Sequence, residues 1–431
     1  MRCKLAWILT SVVLLANAPA HADSSPGRLL ALAADVGLGG IGRTPVSTLH
    51  AGIDVREGGL ALGFFGKLRL TMASDPSAIV HRRDYDEASD FVHIMRYFQY
   101  MRRFENLSVD VLAGELKGST LGHGTLLRDY SNMGDADHAH AGARIRLLHR
   151  RVAFEALVDN LIAPRVVGAR IALSPFSALN GLRFGLSAAV DPVALRQVAL
   201  DHGGQRSVDE AFNLQGDTEP LLLMGLGLEW TFGSTARRRL MPYVDVNTSY
   251  AGVGLHAGAV GRFPLGKAII LGLQLEYRGV TGEYAPDYFT TFYDVDRHQA
   301  SLGGSDLRTK LEMLRAGAYA GHGMLGQLEL DAGAAMQIKA GYRYHPGPDA
   351  HRTWLRAVST PWKKLQLGAM LLWRDIGSSS GLVAVAESRY AINDHLYALA
   401  QFSRSWSVQA STRAYGSLTV FNLGVGGSFV R

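Results

Sequence analysis

The densest group of side chains able to do chemistry lies in one polar stretch, from Thr120 to His140. It holds His123, Arg128, Asp129, Asp135, Asp137, His138 and His140, with glycines at 122 and 124. Imidazoles and carboxylates at this density are the donor types of a divalent-cation site. Their spacing fits no metal motif, since there is no HExxH, no calcium-binding loop and no paired cysteines. Ser131, His123 and Asp129 are the ingredients of a nucleophilic triad, but three residues this close in sequence do not of themselves form one. No catalytic, cofactor-binding or metal residue is therefore assigned. The composition instead reads as a glycine-hinged loop that folds into or over a passage. It would restrict that passage with His123, Arg128, Asp129, Asp135, Asp137 and His138.

A second group interleaves rings with acids: Tyr284, Tyr288, Phe289, Phe292 and Tyr293 alternate with Asp287, Asp294 and Asp296. Two readings are open. Exposed on an external loop, the five rings would suit sugar stacking, lipopolysaccharide contact or a protein partner. Alternatively they pack on their own loop or on the wall beneath it.

The elements that must position these loops are strands. In Ile269 to Arg278, Ile269, Leu271, Leu273, Leu275 and Tyr277 alternate with Gly272, Gln274, Glu276 and Arg278. Strand side chains point to opposite faces with period two, so one face is apolar and the other polar. Val253, Leu255, Ala257 and Ala259 repeat the pattern, and Pro264-Leu265-Gly266 between the runs is turn chemistry. The same alternation recurs in segments beginning near Leu107, Val152, Leu182, Leu222, Val244 and Leu365. These runs are near ten residues long, the length with which a tilted strand crosses a bilayer. Polar faces carrying Glu229, Gln274, Glu276, Arg278 and Gln366 suit a water-filled lumen better than a dry core. Trp230, Phe232, Tyr277, Trp373 and Tyr415 near strand ends suit interfacial girdles.

Residues 1–22 have the layout of a secretory signal peptide: Arg2 and Lys4, the apolar run Leu5 to Leu15, then Ala20-His21-Ala22. Cys3 is the only cysteine, which excludes a disulfide scaffold from the remaining chain. No Pro-rich or Ser-rich linker divides residues 23–431, so they read as one domain. A net charge of +6, from 44 basic and 38 acidic residues, is too balanced to argue for nucleic acid.

The final segment, Asn422 to Arg431, alternates Leu423, Val425 and Phe429, with Val430 and Arg431 beyond the aromatic. Together with the leader and the repeated amphipathic strands, this tail resembles bacterial outer-membrane porin-like β-barrel proteins over the whole chain after residue 22. The resemblance implies an all-β fold, a single antiparallel transmembrane β-barrel of 16 to 20 strands, with 18 the expected number. One run, Leu328 to Tyr344, is too long for a single crossing; it either projects beyond the membrane or hides a turn near Gly333. The implied location is the bacterial outer membrane. The implied function is a channel for passive passage of small polar solutes, without cofactor and without enzymatic activity. The alternative is a structural or docking barrel of a multi-protein envelope machine, with envelope proteins as partners. Outer-membrane lipid is the partner in either case.

Overall fold

The structure, a computed structural model, describes residues 29–71, 91–92, 94–134, 140–176, 179, 181–210, 213–235, 238–301, 307–333, 335–348, 350–362, 364–374, 376 and 381–430. The leader at 1–22 and the polar run 75–90 lie outside these residues, as do Asp135, Asp137 and His138.

Among the described residues twenty antiparallel strands form the wall. The first ten are β1 (Leu29–Ile41), β2 (Thr44–Glu57), β3 (Leu60–Thr71), β4 (Met95–Arg103), β5 (Leu107–Gly114), β6 (Gly142–His149), β7 (Val152–Val158), β8 (Val167–Leu173), β9 (Leu182–Val198) and β10 (Gly216–Trp230). The second ten are β11 (Arg238–Ser249), β12 (Gly252–Leu265), β13 (Ile269–Thr281), β14 (Gly321–Asp331), β15 (Met336–Tyr344), β16 (His351–Trp362), β17 (Leu365–Arg374), β18 (Leu382–Ala391), β19 (Leu396–Val408) and β20 (Tyr415–Val430). Phe232–Thr235 continues β10 along β11 after a break at Thr231. Each strand pairs with its neighbours in sequence, and β20 pairs back onto β1, so the sheet is closed and has no free end strand. That seam is poor in side chains: Gly37 faces Gly424, Asp35 faces Gly426 and Ala34 faces Gly427.

The expected number of 18 strands is corrected to 20, the upper end of the expected range of 16 to 20. The over-long run Leu328 to Tyr344 is two strands, because Gly333 adopts φ +66 and its N–H bonds the Asp331 carboxylate at 2.8 Å. A glycine takes that left-handed conformation without the steric penalty of a Cβ.

The alternation read from the sequence partitions the side chains by face. Leu226, Leu275 and Leu423 stand 66, 67 and 63% exposed on the outer surface. Glu229, Gln274, Glu276 and Arg278 are buried on the inner one. An apolar outside and a polar inside on a closed sheet are the arrangement of a barrel that spans a bilayer. Leu29 and Val430, the first and last residues of the sheet, lie at one rim, and the strand ends that flank 72–94, 115–141, 199–215 and 282–320 all lie at the other. Among the described residues no helix is long and apolar enough to cross a membrane.

The wall is uneven in height. Strands β4 to β8 have only 7 to 9 residues, whereas β9 has 17. β9 pairs with β8 only as far as Val190, so Asp191–Val198 rises above its neighbour with one edge unpaired by the sheet.

Candidate functional site

Two of the long connections turn inwards and meet. The first carries a two-stranded ladder, Lys117–Ser119 against Tyr130–Ser131. The second carries α1 (Tyr293–Asp296) and α2 (Lys310–Arg315). Thr309 and Glu312 close a capping box that satisfies the orphan N–H groups at the start of α2. Backbone hydrogen bonds join the connections: Asp287 N–H to Thr125 C=O at 2.8 Å, Arg128 N–H to Phe289 C=O at 2.9 Å, and Phe289 N–H to Leu126 C=O at 3.2 Å. The two loops therefore act as one body, a plug.

The plug has its own apolar core. Leu121, Leu126, Leu127, Tyr130, Tyr284, Tyr288, Phe289 and Tyr293 pack together and against Leu157, Ala189, Leu221 and Leu223 of the wall. Phe292 packs separately on Trp406, with ring centroids 5.3 Å apart. The expectation of an external aromatic surface is thus corrected: Tyr284, Tyr288, Phe289, Phe292 and Tyr293 are all at most 5% exposed. The physical reason is in the interleaving itself. Rings turn to the apolar core, Asp287 and Asp296 turn to arginines of the wall, and Asp294 accepts from Tyr130 of the first connection at 3.3 Å.

Those ion pairs are specific. Asp287 accepts from Arg278 at 2.8 Å and from Arg343 at 2.9 Å. Asp296 accepts from Arg352 at 3.1 Å and Lys310 at 3.2 Å, and also from Arg374. Burial would raise the Asp287 carboxyl, but Arg278, Arg343 and Arg128 override it and hold the group far below the usual carboxylate range. Arg297 donates to the Val193 carbonyl and Thr309 to the Arg196 carbonyl at 2.9 Å, so the plug covers the edge of β9 that β8 leaves bare.

The first connection is tied to the wall through His123. Its Nδ1 lies 3.0 Å from Asp245 and its Nε2 lies 2.8 Å from Glu229, while its ring stacks on Tyr243 at 4.0 Å. Arg128 donates to the His123 carbonyl at 2.5 Å and to Gln274 at 3.1 Å. Gly122 (φ +57) and Gly124 (φ +83) make the tight bend that brings these side chains inwards. A Cβ at Gly122 would fall 2.6 Å from the Arg170 side chain, and one at Gly124 would fall 2.8 Å from the Arg128 guanidinium.

Among the residues expected at a constriction, His123 is committed to anchoring, whereas Arg128 and Asp129 border open space. Asp129, at φ 46, reaches Lys339 at 2.7 Å. Glu229, Gln274, Glu276 and Arg278 all serve the plug interface, and Gln366 sits half-buried on the interior face, opposite Arg389 in the ladder. Among the described residues no cluster of three or more His, Cys, Asp or Glu side chains is placed to hold a metal ion.

Beside the plug a cavity of ≈ 510 Å³ remains between the two loops, β2 to β4 and β15 to β20. Two chemistries line it. Lys339 and Arg343 of β15 stand next to Arg356 and Arg352 of β16, with which they pair in the ladder. The strands that follow present an apolar surface from Met370, Leu372, Val383, Val385, Leu418 and Val420, with Met370 directly beside Arg356. This basic column was not picked out from the sequence. Its signal is Lys339 and Arg343, then Arg352 and Arg356, each pair four residues apart and therefore on one face of a strand.

No protein-family model matches the chain, and no curated protein matches it in sequence. Solved structures of Pseudomonas aeruginosa outer-membrane proteins do match in architecture. OpdL is 12% identical, with 94% of this chain and 98% of that one covered and a TM-score of 0.33. OccK11 (OpdR) is 12% identical, with 94 and 96% covered and a TM-score of 0.36. The ferric enterobactin receptor PfeA is 9% identical, with 94 and 82% covered and a TM-score of 0.35. Likenesses this distant carry no argument about function, which has to be read from the chain's own lumen.

Proposed function

We propose that this chain is a bacterial outer-membrane channel for passive passage of small polar solutes, with a preference for anions. The observation that carries the reading is the excess of base in the cavity lining: nine Lys and Arg side chains, the column Lys339, Arg343, Arg352 and Arg356 among them, against four Asp and Glu, so that positive charge remains after Lys339, Arg343 and Arg352 pair with Asp129, Asp287 and Asp296 of the plug. Fixed positive side chains in a confined, low-dielectric passage raise the local concentration of anions and repel cations. Beside the column, Met370 and Leu372 of β17 and Val383 and Val385 of β18 give the carbon part of an organic anion an apolar surface. The plug narrows the lumen, and Arg128 and Asp129 form its margin on the open side.

The test is reconstitution of the folded protein in a planar bilayer, with the zero-current potential measured across a KCl gradient. Wild type should be anion-selective, and the double change Lys339→Glu with Arg356→Glu should move the potential towards cation selectivity. A correctly folded barrel that conducts nothing, or one already cation-selective, would overturn the reading. The alternative of a docking barrel drew on an outward aromatic loop and on an over-long strand at Leu328 to Tyr344; with the five rings buried and that run divided at Gly333, neither feature favours it.

A further inference from the structure

The connection between β7 and β8 is unlike the other connections at its rim. Its tip, Leu161-Ile162-Ala163-Pro164, is wholly apolar and exposed, with Leu161 at 46% and Ile162 at 52%. Its backbone donors are nonetheless all bonded within the protein. Leu161 N–H bonds the Ala141 carbonyl at 2.8 Å. The Asn160 side chain takes the N–H of Ile162 at 2.9 Å and of Ala163 at 3.2 Å. The Asp159 carboxylate takes those of Arg165 at 2.9 Å and Val166 at 2.8 Å, and the N–H of Asn160 as well. Pro164 has no N–H to satisfy. Side chains cap backbone donors in the exposed connection 199–215 as well, where Asp201 takes the N–H groups of Gly203 and Gln205, so the capping permits burial in lipid and the apolar tip and its height are what point to it.

Its position points the same way. Strands β4 to β8, of 7 to 9 residues, rise about 3.3 Å per residue and tilt by about 40°, giving a wall roughly 18–23 Å tall against an apolar band of about 25 Å. The rim of this low sector therefore falls within the acyl region, not above it.

We propose that the Leu161–Pro164 tip inserts into the lipid acyl chains of the leaflet on the long-connection side, anchoring the low sector and locally thinning that leaflet. The inference rests on the barrel spanning a membrane, and the experiment separates the two. Single cysteines are placed at Ile162, at His202 on the exposed connection 199–215 of the same rim, and at Leu226 on the outer wall, in the full chain carrying Cys3→Ser. Each is labelled with an environment-sensitive fluorophore and reconstituted in phosphatidylcholine vesicles containing nitroxide-labelled acyl chains. Insertion predicts a blue-shifted, lipid-quenched signal at Ile162, with quenching strongest from nitroxides near the headgroup, and a water-like, unquenched signal at His202. Emission at Ile162 matching His202 overturns the proposal while leaving the spanning barrel intact. A blue shift without quenching also overturns it, by placing the tip against protein. No quenching at Leu226 overturns the membrane placement and the insertion together.

Discussion

His123 is held between two carboxylates of the wall, and its protonation decides how firmly the first loop is anchored. Burial alone would lower its pKa; the hydrogen bonds to Asp245 and Glu229 outweigh that and raise it. Arg170 and Arg183 also reach Glu229, Tyr243 stacks on the ring, and Thr125 shares Asp245. A raised folded-state pKa means that the contribution is complete below the ordinary value of 6.5 and is lost as pH climbs through the raised one. Thermal unfolding followed by near-ultraviolet circular dichroism should therefore show stability falling above that pH. His123→Gln should flatten the fall and cost roughly 1–3 kcal/mol at pH 6. Parallel pH profiles in the two proteins would remove His123 from this role. Lys310 acts in the opposite sense: burial pushes it down to about 8 despite Asp296. Between there and its ordinary 10.5 the unfolded chain holds the proton longer, so stability rises with pH.

The plug is an element built from two loops, and Phe289 is where they join. It is fully buried, its backbone exchanges bonds with Leu126 and Arg128, and its ring meets Tyr293 at 4.7 Å. Phe289→Ala should cost about 3–5 kcal/mol of plug stability, as for other buried aromatics. No wall ladder includes this residue, so the barrel should keep its heat-resistant migration in gels while single-channel current becomes larger and noisier. A folded variant with unchanged current would show that the plug does not restrict flow. The strands were legible in the sequence because period-two patterning in Ile269–Arg278 or Leu222–Trp230 is written residue by residue. The plug was not. Its rings and acids signal a loop with two different faces, but the wall arginines that the acids meet, Arg343, Arg352 and Arg374, lie 56 or more residues beyond Asp287 and Asp296. Nothing local says whether such a loop turns outwards or in.

At the scale of the whole molecule the two surfaces of the sheet face different solvents, and a charge should discriminate between them. Leu226→Arg, placed in the outer apolar band, should cost about 2–4 kcal/mol in the folding equilibrium in lipid. Val385→Arg, on the inner face beside the open cavity, should cost far less, because it meets water and not acyl chains. Equal losses, measured by denaturant titration in vesicles, would mean that inside and outside have been exchanged. The seam between β1 and β20 carries a further consequence. It joins the first described residues of the chain to the last, so no stretch of nascent protein shorter than the whole can complete it. Every earlier intermediate has two raw sheet edges, and such edges recruit other strands. Its ladder brings together glycine-rich stretches with few side chains to guide them, so correct registration there falls to the backbone and to the already assembled neighbours β2 and β19. The polypeptide is thus committed to a late, all-at-once ring closure, and it depends on being kept apart from its own copies until the final residues arrive.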